Sequence, residues 1–475
     1  MAKVALVNLP FQEDIEAVAQ TSVGPPMGQA YVASVLLEKG HNVRLIDANA
    51  LRMQLPEIMK QLAAFSPDVV GTTAATPSLV LATEFAKGVK RLGDIPVILG
   101  GPHGSALPEE TLLQNREIDT VVVGEGETIA HDLVQGLTGG GNLADVPSIA
   151  FIQDGRPVVT QAAPILEELD QLPFPARQLL PNHLYRTIDS WPMTCVIAVR
   201  GCPAKCIYCN VPHLAGRGMR RRSAANIVAE MELCLAQWGV SFFSFIDDTF
   251  TTSRAWVHDL CDTIIEAGLG KKVRWSCLTR PDMADVEMLG KMKAAGCVRV
   301  EFGIESGSPR MLKFLRKGAS LENIRGAFAA ARKVGLVTLG FAMVNIPGET
   351  REDMEMTLNE ILSIDPTFLQ LSFCTPYPGT YLHEYCAENG LLETSDWTRY
   401  RFLREPVIQN PNMTASEIQE LHSQILRRFY FRPRKFVQIA RHALLSPNAF
   451  YSLTRSSLQG ATHLVKARLR RGRPG

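Results

Sequence analysis

The stretch RGCPAKCIYCN, Arg200 to Asn210, sets three cysteines, Cys202, Cys206 and Cys209, within eight residues at CxxxCxxC spacing. It follows directly on the strand-like run MTCVIAVR, and no fourth cysteine lies close by. Thiolates are soft ligands that suit zinc or iron–sulphur centres. A closed structural zinc site takes four ligands, usually as two separated pairs. Three ligands in one loop therefore predict a cluster with one metal left open, and the open position is where chemistry happens. The other seven cysteines (Cys195, Cys234, Cys261, Cys277, Cys297, Cys374 and Cys386) stand singly, mostly in apolar segments. Each reads as a small buried hydrophobe.

Working outward from this loop, the pattern is α/β. From Trp191 onward, strand-like runs (MTCVIAVR, VSFFSFIDDTF, KVRWSCLT, CVRVEFGIE, LVTLGFAMVNIPG, PTFLQLSFCTP) alternate with helical segments such as AANIVAEMELCLAQWG and RAWVHDLCDTIIEAG. Six such βα units predict a barrel-like parallel sheet with its functional groups at the strands' carboxyl ends. The cysteine loop, Asp247, Asp248, Glu305 and the IPGET loop all fall there. Asp248 has an ordinary alternative as the N-cap of the helix that starts near Arg254, and Glu305 has one as half of a structural ion pair.

The first 140 residues form an earlier α/β series. Strands at KVALVNL, NVRLIDA, PDVVGTTAA, PVILGGPHG and IDTVVVGEGE alternate with helices such as LPEIMKQLAAF. Each later strand ends in a small or polar loop, and in an open parallel sheet ligands bind beyond those ends. Glycines there admit close backbone approach. No GxGxxG follows the first strand, which argues against a dinucleotide. Residues 141–190 read as a connector holding a hairpin, SIAFIQDGRPVVT, with an Asp-Gly turn, and a proline-punctuated linker, LPFPARQLLP. Residues 191–400 are the second domain and 401–475 a basic, mainly helical segment.

At 475 residues, with 46% hydrophobic and 20% charged residues, the chain is long enough for two or three domains with sizeable cores. No apolar run approaches the ~18 residues that cross a bilayer. The N-terminus enters a strand with no secretory signal pattern, so the expected location is the cytoplasm. Ten cysteines in such a chain point to metal or redox chemistry rather than disulfides. From Leu421 to the end there are twelve lysines and arginines and no acidic residue, whereas the first 420 residues carry 37 basic and 48 acidic ones. Residues 429–445 read as a helical cap docked on the body. The tail beyond, ending in KARLRRGR, is read as a peripheral contact with the inner membrane surface; nucleic acid is not expected.

CxxxCxxC after the first strand of a partial barrel, together with FIDDTF, VEFGIESGS and GFAMVNIPGET, resembles the radical S-adenosylmethionine (SAM) superfamily from Met193 to Pro378. The resemblance implies a [4Fe–4S] cluster on Cys202, Cys206 and Cys209, with SAM on the fourth iron. It places Tyr208 along the adenine, Asp247 and Asp248 near the SAM amino group, Glu305 and Ser306 near its ribose or methionine end, and Arg280 at its carboxylate. VILGGPHGSALPEE and VVVGEGE resemble the cobalamin-binding domain fused ahead of many such enzymes. That implies cobalamin near Thr73, Ala74, Gly100, Gly101, Pro102, Gly124 and Gly126. The DxHxxG motif that supplies a lower-axial histidine is missing, and His103 is the nearest histidine, with a turn or tail contact as its expected role.

The expected fold is thus a Rossmann-like parallel sheet of cobalamin-binding type, a six-strand partial βα barrel and a small helical C-terminal segment. The expected activity is cobalamin-dependent radical SAM methylation of an unactivated carbon in a lipid, pigment or other natural product, fed by an external low-potential electron donor. The rival within catalysis is oxidative cyclisation of the anaerobic porphyrin-cyclase type, without methyl transfer. tRNA methylthiolation is disfavoured for want of a second cysteine cluster. A cobalamin sensor with a degenerate barrel and a zinc protein are the readings outside this chemistry.

Overall fold

The computed structural model describes residues 1–10, 23–139, 141–187 and 190–444. Five parallel strands, β1 (Lys3–Asn8), β2 (Asn42–Asp47), β3 (Val69–Thr73), β4 (Val97–Gly100) and β5 (Thr120–Val122), run in the order 2-1-3-4-5. The strand order reverses at β1/β3, so a crevice opens beyond the carboxyl ends of these two strands. The strands are apolar on both faces, as a sheet sandwiched between helices requires. Val4, Ala5, Val7, Val69 and Val70 are all fully buried.

The helices begin where local chemistry starts them. Gln54 and Glu57 form a reciprocal capping box at Leu55–Phe65, and Ser66 ends that helix in the left-handed region. The hairpin lies in the connector by sequence but in the sheet by hydrogen bonding. Its strands β6 (Ile149–Gln153) and β7 (Arg156–Val159) extend the sheet antiparallel from β5. Asp154 and Gly155, both at positive φ, make its two-residue turn.

The second sheet is six parallel strands in chain order: β8 (Met193–Val196), then, past a two-stranded ribbon of β9 (Val199–Arg200) and β10 (Arg220–Arg221), β11 (Phe242–Phe245), β12 (Arg274–Thr279), β13 (Cys297–Glu305), β14 (Val337–Val344) and β15 (Phe368–Phe373). Each returning helix opens on a hydroxyl or carboxylate cap. Ser223, Ser253, Asp285, Ser308, Ser320, Thr350 and Thr380 each accept a backbone N–H of the following turn. Between sheet and helices lies a core that includes Trp275, Phe243, Phe250 and Phe302. A side chain of that kind contributes roughly 1.5–3 kcal/mol on full burial. All seven isolated cysteines are free and buried, as small hydrophobes should be.

The C-terminal helix Ala415–Tyr430 docks on the barrel through Ile418, Leu421, Ile425 and Phe429. It also covers the outer edge of β15. The Tyr430 hydroxyl lies 3.1 and 2.9 Å from Leu369 N and O, and His422 Nε2 lies 3.0 Å from Leu371 O. An edge strand's open backbone groups are thereby occupied. Lys435, 1% exposed, pairs with Asp365 at 2.9 Å, so docking extends to the start of the Pro433–Leu444 helix. The basic tail from 445 lies outside the described residues. Among those described, no helix is long and apolar enough to cross a membrane.

The connector is pinned by a buried ionic triad. Arg177, in the proline-punctuated linker, meets Glu230 of the Ala224–Trp238 helix at 2.5 Å, and Arg222 pairs with the other carboxylate oxygen. Arg177 also donates to Cys195 O and Thr194 Oγ1 of β8, and Arg222 to the Tyr31 hydroxyl. Glu230→Ala leaves two guanidinium groups buried without a counter-ion, which costs about 3–5 kcal/mol. The urea midpoint followed by circular dichroism should fall accordingly; an unchanged midpoint would show that the triad does not hold the domains.

Candidate active site

The carboxyl ends of the two sheets face one another. Between them lies a cavity of roughly 520 Å³. Thr73, Gly100, Gly101, Gly124 and Gly126 line it from the first domain; Ile197, Val199, Arg200, Ile246 and Asp248 line it from the second. Its depth is apolar, with Val4, Leu6, Val32 and Ile98 among its walls. Asn8, Thr72 and Gln29 add polar groups; Gln29 donates to Val7 O at 2.9 Å, and its buried Oε1 has no partner. An unpaired buried amide oxygen costs about 1–3 kcal/mol unless a ligand donor meets it.

Gly101 sits at φ 94°, and a Cβ there would come within 2.3 Å of Thr73 Oγ1 and 2.9 Å of Ala74 O. Only glycine lets β3 and β4 end this close together beside the cavity. Ala74 and Pro102 are not among its lining residues. Ala74 is buried, its N–H bonded to Gly100 O and its carbonyl to His103 N, and Pro102 begins the short helix Pro102–Ala106. His103 is 2% exposed, within 3.3 Å of Thr76 Oγ1, its ring edge-on to Trp397. Burial pushes its pKa down to about 4. It packs in the turn and does not line the cavity.

The loops of the two domains are clamped by four charges. Arg220 makes a bidentate pair with Glu125 at 2.8 and 2.7 Å. Arg200 reaches Glu127 at 2.6 Å and Glu125 at 3.1 Å. Burial opposes the charge of Glu125, yet bonding from Arg220 and the charges of Arg200 and Arg220 outweigh it and hold the carboxyl below its usual range. The arginines bracket the cysteine loop on β9 and β10, whereas the glutamates alternate with Gly124 and Gly126.

Asp247 and Asp248 anchor the same loop from β11. Asp247 Oδ1 accepts from Ala198 N at 2.6 Å and Val199 N at 2.7 Å, and Asp248 Oδ2 from Gly201 N at 3.1 Å. Ser253, not Asp248, caps the next helix. Cys202 Sγ lies 3.4 Å from the Thr249 hydroxyl, and Arg280 donates to Cys206 Sγ at 3.8 Å. Burial pushes the Cys209 thiol up to about 11, so at neutral pH a bonded metal is needed to hold it as thiolate. Among the described residues no three Cys, His, Asp or Glu groups converge as ligands of a single metal ion would.

Arg280 is further held by Asp282 at 3.0 Å and by Lys317 O at 2.6 Å. Glu305, at φ 62° on a bulge of β13, forms a buried pair with Lys317 at 2.6 Å. A Cβ on Gly303 would meet both partners, at 2.2 and 2.4 Å. Burial, then the charges of Glu305 and Cys206, raise the Tyr208 phenol well above its ordinary pKa. Ser306 is fully buried, its hydroxyl 3.0 Å from Thr357 Oγ1 and accepting from Ser308 N. The cysteine loop, Asp248, Arg280, Glu305 and Tyr208 thus meet at the barrel mouth, and Ser306 is turned into its wall. Gln29, Glu125, Glu127, Arg200 and Arg220 were not singled out from sequence. The carboxylates between the glycines of GEGE were the available signal.

Residues 196–361 match the radical SAM superfamily, and residues 17–134 match the B12 binding domain. The chain is 33% identical over 456 residues, 95% of its length and 98% of the relative's, to the uncharacterized methyltransferase PH0819 of Pyrococcus horikoshii. The chain is a radical SAM enzyme with an N-terminal B12-binding domain. It is also 29% identical, over 87% of its length and 75% of the relative's, to the anaerobic magnesium-protoporphyrin IX monomethyl ester cyclase of Rubrivivax gelatinosus. Its fold is similar to that of the radical SAM methyltransferase TsrM of Kitasatospora setae, solved with cobalamin and a [4Fe–4S] cluster bound (TM-score 0.70, 22% identity, 91% of this chain and 86% of that one). The residues present fit both groups. The radical SAM barrel offers three free cysteines on one loop beside a guanidinium, and the B12-binding domain a glycine-edged apolar cavity with one unpaired amide oxygen.

Two outcomes test this geometry. Gly101→Ala should lower cobalamin affinity about tenfold or more, ~1.4 kcal/mol, by equilibrium dialysis; unchanged affinity would remove the glycine edge from the site. Burial raises Asp247 from 3.8 to about 7 in the fold. Its stabilising contribution is therefore full below the lower value and is lost as the pH rises through the higher one. Asp247→Asn cannot titrate. Its urea midpoint should vary less across that window than the wild type's, and equal slopes would contradict the assignment.

Proposed function

We propose that this protein methylates an unactivated carbon of a small organic substrate, with cobalamin held in the inter-domain cavity and SAM at the cysteine loop. The observation that carries this reading is the shared wall: Arg200 and Asp248, which position the cysteine loop, also line the cavity edged by Gly101 and Gly124. When bound, a [4Fe–4S] cluster with SAM supplies a radical that removes hydrogen from carbon, and methylcobalamin supplies a methyl group to the same carbon.

The chain's own residues do the positioning. Cys202, Cys206 and Cys209 would hold the cluster, with Arg280 placing positive charge beside Cys206. Asp247 fixes the bend from β8 into the loop through two backbone bonds. Glu305, paired with Lys317, and Tyr208 offer polar contacts for SAM at the barrel mouth. Gln29 would orient an amide of the corrin periphery. The apolar walls exclude water, which a radical step requires. No histidine lines the cavity, so cobalamin would be held without an imidazole ligand from the described residues.

Oxidative cyclisation is the second reading, favoured by the likeness to the Rubrivivax gelatinosus enzyme. Product analysis separates the two. Protein reconstituted without oxygen and supplied with cobalamin, SAM and a strong reductant is offered extracts of lipids, pigments and other natural products. Methylation should yield 5′-deoxyadenosine and S-adenosylhomocysteine in step, both dependent on cobalamin and both abolished in Cys206→Ala. 5′-Deoxyadenosine alone, with substrate consumed, would favour cyclisation; neither product from protein that carries iron and sulphide would overturn both readings.

A further inference from the structure

A second hollow, of roughly 380 Å³, reaches the cysteine loop and shares no lining residue with the cobalamin cavity. Cys206 and Cys209 line it, and around them stand Lys205, Arg217, Arg316 and His213, with Glu384 the single carboxylate. A neighbouring hollow continues the surface with Arg310, Lys313 and Arg316 and no carboxylate. Lys205, Arg217, Lys313 and Arg316 are all exposed. Their local engagements leave the charges in place: Arg217 donates to Ala204 O at 2.9 Å, and Arg316 lies 4.6 Å over the exposed Tyr381 ring. Arg310 is paired with Asp353. This patch runs against the body of the protein, whose first 420 residues have more acidic than basic side chains.

The location gives the patch a meaning. A cluster on this loop must be re-reduced from outside, and two of its three sulphur ligands border this hollow. Complementary charge steers protein encounter and fixes orientation more than it adds raw affinity. A mixed solvated surface would intersperse carboxylates among these cations.

We propose that the rim formed by Lys205, Arg217, Lys313 and Arg316 is the docking surface for an acidic one-electron donor protein. The transfer is simple in balance: one electron leaves the donor and one enters the cluster, with no bond made or broken and no proton passed. The proposal rests on the cluster assignment to Cys202, Cys206 and Cys209.

The test uses the full chain, reconstituted anaerobically and assayed for iron and sulphide. Cluster reduction is followed by its visible absorbance in stopped flow, with photoreduced flavodoxin as the acidic donor and dithionite as a small reductant that needs no docking face. Lys313→Glu with Arg316→Glu should slow reduction by flavodoxin about tenfold or more at low ionic strength, while the dithionite rate stays within about threefold. The wild-type flavodoxin rate should fall as salt screens the charges, and the double glutamine variant should lie between. Equal flavodoxin rates in wild type and charge-reversed protein, or a wild-type rate indifferent to salt, would overturn the docking surface. Protein that binds no iron or sulphide would instead overturn the cluster assignment, and this proposal with it.

Discussion

Arg200 and Arg220, paired with Glu125 and Glu127, are the contact on which the rest of the structure turns. The arginines belong to the ribbon that brackets the cysteine loop, and the glutamates to the loop after β5 that edges the cavity. Desolvating four charges is costly, and an apolar replacement of the same shape can be as stable or more so. What such a cluster supplies is registry. Two domains that could slide over an apolar interface are held where each guanidinium meets its carboxylate, and the cavity exists because that position is held.

The glycines and glutamates of GEGE divide two tasks within four residues. The glycines keep the cavity edge low, and the glutamates bind it to the barrel. On the barrel side, the loop is fastened from beneath by backbone bonds to Asp247 and Asp248 rather than by a helix cap. The cysteines are therefore presented on a short segment tied at both ends, in the setting a preorganised site needs. The Arg177–Glu230–Arg222 triad makes the same kind of tie further out, between connector and barrel.

Much of this was legible in the sequence because local signals are strong where elements begin and end. The helix Leu55–Phe65 and the strand Cys297–Glu305 occur over the residues their patterns mark. The cysteine triad and the loops at the strand ends were equally plain, since spacing carries them. What sequence hid were partners far apart along the chain. The hairpin reads as a hairpin, but its docking on β5 depends on a pairing no local pattern encodes. Arg177 sits in what reads as a proline-punctuated linker, and its carboxylate lies 53 residues on. His103 packs in its turn, the role expected of it, but its ring neighbour Trp397 lies far along the chain. Ser306, next to Glu305 in sequence, faces the wall because the bulge at Glu305 turns the chain.

The central claim is that cobalamin and the cluster occupy opposite sides of one shared wall. Electron paramagnetic resonance of protein carrying both cob(II)alamin and the reduced cluster tests it most directly. The account predicts one of each per chain, with both signals broadened by mutual coupling. Two unperturbed signals from well-separated centres would contradict it.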